Sequence, residues 1–105
     1  MAWFSSGRIT NPVTDAVLVD TGPLSGGSRS VKVIGSATVA AVFELQLRNA
    51  ANNATLKSQI LAVPASSTGQ IDFESMDITM ADSERLRVIA VAGVTGSVSV
   101  SLDVA

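Results

Sequence analysis

Residues 97–104, Ser-Val-Ser-Val-Ser-Leu-Asp-Val, alternate a short polar side chain with an apolar one over their whole length. A run of this period has one apolar and one polar side only if successive side chains point to opposite faces, so the segment predicts a half-buried β-strand. Residues 84–92 start in the same way, with Leu86, Val88 and Ala90 set against Arg85 and Arg87. The short Gly93-Val94-Thr95-Gly96 link between the two runs predicts a β-hairpin around which the rest of the chain packs. Ile89 and Val91 break the pattern, because they fall on the face that Arg85 and Arg87 mark as outward. That face is therefore expected to be covered.

The period of two recurs along the chain. Residues 15–21 form a short run that is apolar on both faces, and Gly22-Pro23 with Gly26-Gly27 turns the chain after it. Residues 30–38 predict a strand through Val31 and Val33, in which Gly35 permits a bulge or a close backbone approach. In residues 39–49, Phe43, Leu45 and Leu47 point one way while Glu44, Gln46 and Arg48 point the other. Asn49, Asn52 and Asn53 then favour a turn, since Asn tolerates positive φ and hydrogen-bonds its own backbone. Residues 56–63 read as a strand that stops at Pro64, residues 66–69 as a turn, and residues 70–78 as a strand with Ile71 and Phe73 inward. About seven strands separated by turns, with no helical period anywhere, predict an all-β, single-domain antiparallel β-sandwich of jelly-roll-like or related Greek-key topology. The expected core is Val33, Phe43, Leu45, Leu47, Ile71, Phe73, Leu86, Val88, Val98, Val100 and Leu102.

Residues 1–15 hold Trp3, Phe4, a Ser-Ser-Gly break and Asn11-Pro12, and predict an extended N-terminal arm and a turn rather than a regular strand. Residues 16–105 are then the sandwich domain. Aromatic residues on such an arm either anchor it in a neighbour's pocket or fold back over the protein's own core, and both readings stay open here.

Composition narrows the function classes. The 105 residues contain no His and no Cys, which removes imidazole general bases, thiolate nucleophiles and the commonest metal ligands together. No enzyme activity and no cofactor are expected. A net charge of −2 with only seven Lys and Arg residues gives no basic stripe to track phosphates, so no nucleic acid is expected as a partner. The first residues lack a basic segment followed by an apolar run, and no stretch is long enough to span a bilayer, so no membrane association is expected and a mature cytosolic product is. Asp72, Glu74, Asp77, Asp82 and Glu84 offer oxygen ligands of the kind Ca²⁺ takes, but without the EF-hand spacing a solvated acidic edge is the plainer reading. One Trp and no Tyr give a carbohydrate-binding face little to stack on. Arg85 and Arg87 suit either acidic groups on a partner or pairing within the chain.

Apolar residues make up 47% of the chain and charged residues only 15%, against about 25% charged in an average soluble domain. Sparse charge and two-sided apolar strands predict a homo-oligomer, with Ile89 and Val91 at the contact and Ala16 and Leu18 joining it. A monomer with a Ser- and Thr-rich surface is the alternative.

Phe43-Glu44-Leu45-Gln46-Leu47-Arg48-Asn49-Ala50-Ala51-Asn52, with Ser83-Glu84-Arg85-Leu86-Arg87-Val88 and Val94-Thr95-Gly96-Ser97-Val98, resembles small β-sandwich structural proteins of tailed-bacteriophage virions, the capsid cement or decoration proteins above all. The resemblance covers the chain from Val17 onwards and contains no catalytic signature. It implies a virion protein, made in the host cytoplasm, that assembles as a trimer on the outer capsid surface and clamps neighbouring subunits of the major capsid protein. On that reading Trp3, Phe4 and Arg8 are the expected contacts to the lattice. A tail or head-tail junction component, a carbohydrate-binding attachment module and a weak hydrolase are the alternatives, the last two disfavoured by the missing His and scarce aromatics.

Overall fold

The structure, a computed structural model, describes residues 2–65, 71–72 and 76–105. The described residues form ten strands: β1 (Ala2–Ser5), β2 (Ile9–Thr10), β3 (Val17–Asp20), β4 (Gly27–Ala37), β5 (Ala41–Arg48), β6 (Thr55–Val63), β7 (Ile71–Asp72), β8 (Met76–Met80), β9 (Arg85–Ala90) and β10 (Ser97–Val104). No helix occurs among the described residues. One sheet has the order β1-β10-β4-β7, with β2 also on β10 and β8 also on β4; the other has the order β3-β9-β5-β6. All pairings are antiparallel.

The pairs nest. The first strand pairs with the last (β1 with β10), β3 with β9, β4 with β7 and β8, and β5 with its immediate successor β6. A long antiparallel ribbon folded over on itself in this way is a jelly roll, the double Greek key expected from the sequence. The two sheets press their apolar faces together, as the fold class required.

The expected hairpin of residues 84–104 does not form. Strand β9 lies between β3 and β5 while β10 lies between β1 and β4, so the link of residues 91–96 carries the chain from one sheet to the other. Leu86, Val88 and Ala90 face Val98, Val100, Leu102 and Val104 across the core instead of lying beside them, and all seven are buried. An alternating pattern fixes which side of a strand is wet, and is satisfied equally by side-by-side and face-to-face partners.

Nine of the expected core residues are buried, and Phe43, Leu86, Val88, Val100 and Leu102 are fully enclosed. The positions expected for the side chains of Ile71 and Phe73, like the turn at residues 66–69, lie outside the described residues. All ten of the largest fully enclosed side chains come from β4, β5, β6, β9 and β10. Each contributes roughly 1.5–3 kcal/mol of transfer free energy, so these strands carry most of the stability. Gly35 shows why β4 has no side chain at its midpoint. A Cβ there would stand 3.1 Å from Cε2 of Phe43, so the close-approach reading of this glycine holds and the ring of one sheet rests on the bare backbone of the other. The Asn-rich turn forms as expected, with Asn52 at φ 56° and Oδ1 of Asn49 accepting from the amide of Asn53 at 2.9 Å.

The N-terminus is not a free arm. Residues 2–5 pair with residues 101–104 of β10, and residues 9–10 pair with residues 97–98. Ser6 ties the break between them, its amide donating to the Val100 carbonyl at 2.8 Å and its hydroxyl oxygen accepting from the Val100 amide at 2.9 Å. The Ser-Ser-Gly sequence thus interrupts an edge strand rather than releasing it, because the hydroxyl replaces a ladder bond that the Gly7 turn, at φ 63°, would otherwise cost.

Candidate functional site

The outer face of the β3-β9-β5-β6 sheet differs from an ordinary wet face, and its composition follows from the register. Val17 of β3 sits opposite Ile89 of β9, Ile89 opposite Glu44 of β5, and Glu44 opposite Ile60 of β6. One step towards one end of the strands, Val42 lies opposite Ala62 and accepts, through its carbonyl, a hydrogen bond from the Val91 amide at 2.9 Å. Val17, Val42 and Ile60 are 46%, 38% and 49% exposed, while Ile89 between them is nearly covered. This apolar end runs on into a depression of about 390 Å³ lined by Ala41, Val42, Ala62, Val63, Pro64 and Val94 among others.

In the opposite direction the face turns polar. Asp20, Arg87, Gln46 and Ser58 form the next row across the sheet, and Arg85 and Arg48 sit directly opposite each other in the row beyond. Gln46 is buried although it points outward, because its neighbours close over it. Its side-chain amide donates to Glu44 Oε1 at 2.8 Å, and its Oε1 accepts from Arg87 Nε at 2.7 Å. Arg48 grips the Asn-rich turn, donating to Asn52 Oδ1 at 3.0 Å, the Asn52 carbonyl at 2.9 Å and Thr55 Oγ1 at 2.8 Å. Arg85 reaches Asp20 at 3.5 Å, and its Nε is buried without a partner among the described residues. Partial burial, then the nearby Arg48 and Arg85, push the Arg87 guanidinium below its ordinary value, with Asp20 opposing.

The residues expected to mediate contacts fall in different places. Ile89 and Val91 lie on this face, but Leu18 does not. A register shift between Val17 and Val19 turns both Leu18 and Val19 into the protein's own core, leaving Val17 as the exposed residue of β3; Ala16 is half-buried. Alternation without the bulge gave Leu18 the outward place, and nothing in residues 15–21 marks where the bulge falls. Val42 and Ile60 were missed for a different reason. Val42 shares the outward parity of Glu44, which was legible, but the sequence could not show that it would stay uncovered. Trp3 is exposed on the outer face of the other sheet, opposite Asp103, and Arg8 is exposed in the turn between β1 and β2. Phe4, the alternate residue of the same strand, packs against the core.

Three of the five carboxylates weighed for calcium serve local structure, and the side chain of Asp72 lies outside the described residues. Asp77 accepts from the Ser30 hydroxyl, Asp82 from the Gly26 amide and Glu84 from the Ala81 amide. Glu74 lies outside the described residues. Among the described residues no three acidic side chains gather as a metal site would need.

No family model matches the chain, and no curated protein is significantly similar to it. Among solved structures, a carbohydrate-binding module described as "CBM4 structure and function" superposes with a TM-score of 0.62 at 15% identity, over 89% of this chain and 64% of that one. The chain thus spans a little under two thirds of that module. What the two share is the β-sandwich fold.

Proposed function

We propose that this protein is a non-enzymatic structural component of a tailed-phage virion that binds the assembled capsid and stabilises contacts between major capsid subunits. One observation carries the reading: Val17, Val42 and Ile60 stand exposed together on a single sheet face, beside an apolar depression and a rim of arginines. Apolar side chains clustered in this way suit a protein contact better than open water. The resemblance of residues 43–52, 83–88 and 94–98 to virion structural proteins supports the same reading. Because Leu18 and Phe4 serve the core, the outer face of the β3-β9-β5-β6 sheet takes the lattice contact. Trp3 and Arg8, which lie off this face, are left to meet neighbouring copies in a homotrimer.

A carbohydrate-binding attachment module is the second reading, and the fold shared with a carbohydrate-binding module favours it. Against it, the outer face of this sheet carries no aromatic side chain among the described residues. Co-sedimentation of the full-length chain with purified expanded capsids lacking the protein, in parallel with a glycan-binding screen, separates the two. Saturable binding to capsids, weakened by Ile60→Asp, supports the lattice reading; binding to glycans alone overturns it.

A further inference from the structure

The polar end of the same face has more guanidinium than it uses. Three of the chain's seven basic residues, Arg48, Arg85 and Arg87, occupy two adjacent rows, and Arg48 and Arg85 are direct cross-strand partners. Like charges placed opposite each other destabilise a sheet, so such a pair calls for compensation. Inside the chain it is incomplete. Arg48 is held by the turn it braces. The contact of Arg85 with Asp20 is long, and Asp20 already accepts from the Gly22 amide at 2.8 Å. Glu44 is engaged by Gln46. Against three guanidiniums stand Asp20 and Glu44, both already engaged, and Asp15, which acts on Arg87 only through its charge, in a chain whose formal charge is −2.

Arg87 is the best placed of the three. Gln46, fixed by Glu44 on one side, takes the Nε hydrogen of Arg87 on the other and so sets the plane of the guanidinium. Among the described residues its two terminal nitrogens have no protein partner. A guanidinium oriented through Nε presents a fork matching the two oxygens of a carboxylate, and the aliphatic surface of Ile89, Val17 and Ile60 begins one row away.

We infer that Arg87, with Arg85 beside it, is a receptor for a carboxylate side chain, and that the partner docking on this face presents an acidic residue flanked by apolar ones. This inference names the partner chemistry of the face assigned to the lattice and rests on that reading for the partner's identity, but the receptor itself is testable without a capsid. Apolar contacts give the docked surface its area, and the acidic residue sets its register. Loss of such a desolvated charge pair weakens an interface strongly and makes it salt-sensitive.

The experiment titrates the ¹⁵N-labelled full-length chain with a capped pentapeptide of alternating Val and Glu, and with the same peptide carrying Gln in place of Glu. The Glu peptide is expected to shift the Arg87 Nε and Gln46 side-chain signals saturably, and to lose that effect in high salt. The Arg87→Gln variant is expected to bind at least roughly tenfold more weakly, whereas Lys57→Gln, which removes a positive charge from the other side of the sheet, binds as the parent does. An equal response to the Gln peptide, or unchanged binding by Arg87→Gln, overturns the inference. Co-sedimentation of Arg87→Glu with capsids keeps the two claims apart. Capsids that bind neither parent nor variant sink the lattice reading while the peptide result still decides the receptor; capsids that bind both equally overturn the receptor and leave the lattice reading standing.

Discussion

The outer faces of the two sheets started from the same requirement and ended differently. Each sheet had to give one apolar face to a shared core, and each does, through Val31, Val33, Val98, Val100 and Leu102 on one side and Phe43, Leu45, Leu47, Leu86 and Val88 on the other. The wet face of the first sheet is mostly short polar groups, Ser28, Ser30, Ser36, Ser99 and Ser101, with the cross-strand partners Lys32 and Asp103 and the half-buried Ile34 among them and Trp3 exposed at the edge. The wet face of the second holds mostly larger side chains: Val17, Val42, Ile60 and Ile89 at one end, Arg48, Gln46, Arg85 and Arg87 at the other, with Asp20, Ser58 and Ala62 beside them. Serine costs little to leave in water and adds nothing to a contact, whereas exposed aliphatic groups next to ordered guanidiniums have no stabilising role of their own. The proposed contact rests on this difference between the two faces.

That contrast can be broken at its foundation or sharpened at its edges. Phe43→Ala removes the ring on which both sheets close and should lower stability by about 3–5 kcal/mol in denaturant unfolding, so that both faces are lost together. A much smaller loss would mean that the sheets hold their outer faces independently. Deleting residues 1–8 strips β1 from the serine-faced sheet alone. Loss of its ladder and of Phe4 should cost about 2–4 kcal/mol. The same deletion without any change in stability would restore the free-arm reading that pairing with β10 now replaces.

Gly35→Ala pushes a methyl group from one sheet against Phe43 of the other, and overpacking of this kind should cost about 1–3 kcal/mol by thermal or chemical unfolding. The sharpest pair comes last because its effect on stability is smallest. Ile60→Ser and Trp3→Ser each change one exposed side chain, and each should shift stability by no more than about 0.5 kcal/mol. Only Ile60→Ser should lower occupancy on capsids; equal loss in both would mean that the two faces dock alike.

Much of the molecule was legible in the residues. The strict alternation of residues 97–104 and of residues 43–48 placed Val98, Val100, Leu102, Phe43, Leu45 and Leu47 inward without any structure, because side-chain parity in a strand is set by local backbone geometry. Gly35 could be read as either a bulge or a close approach, the two places where a strand commonly gives up a side chain, and the Phe43 ring decided for the second. The Asn cluster announced its turn for a similarly local reason. The outward place of Ile89 beside Arg87 was visible as well, and so was half of the candidate face.

Partner identity was decided elsewhere. Residues 85–90 and 97–104 look like two arms of a hairpin, yet they lie in different sheets, since the nested pairing of a jelly roll brings together strands from opposite ends of the chain. No local pattern carries that information; it arises from how the amphipathic strands close one core. The β3 bulge that sends Leu18 inward and leaves Val17 out depends in the same way on fitting the edge of β9. Trp3 and Phe4 were separated into an outer and an inner residue only when β1 found β10. Sequence alone determined which side chains share a face wherever a strand runs without a bulge, because parity is a property of neighbours one bond apart; the tertiary structure decided where the parity breaks and which faces meet, because those choices are made between residues tens of positions apart.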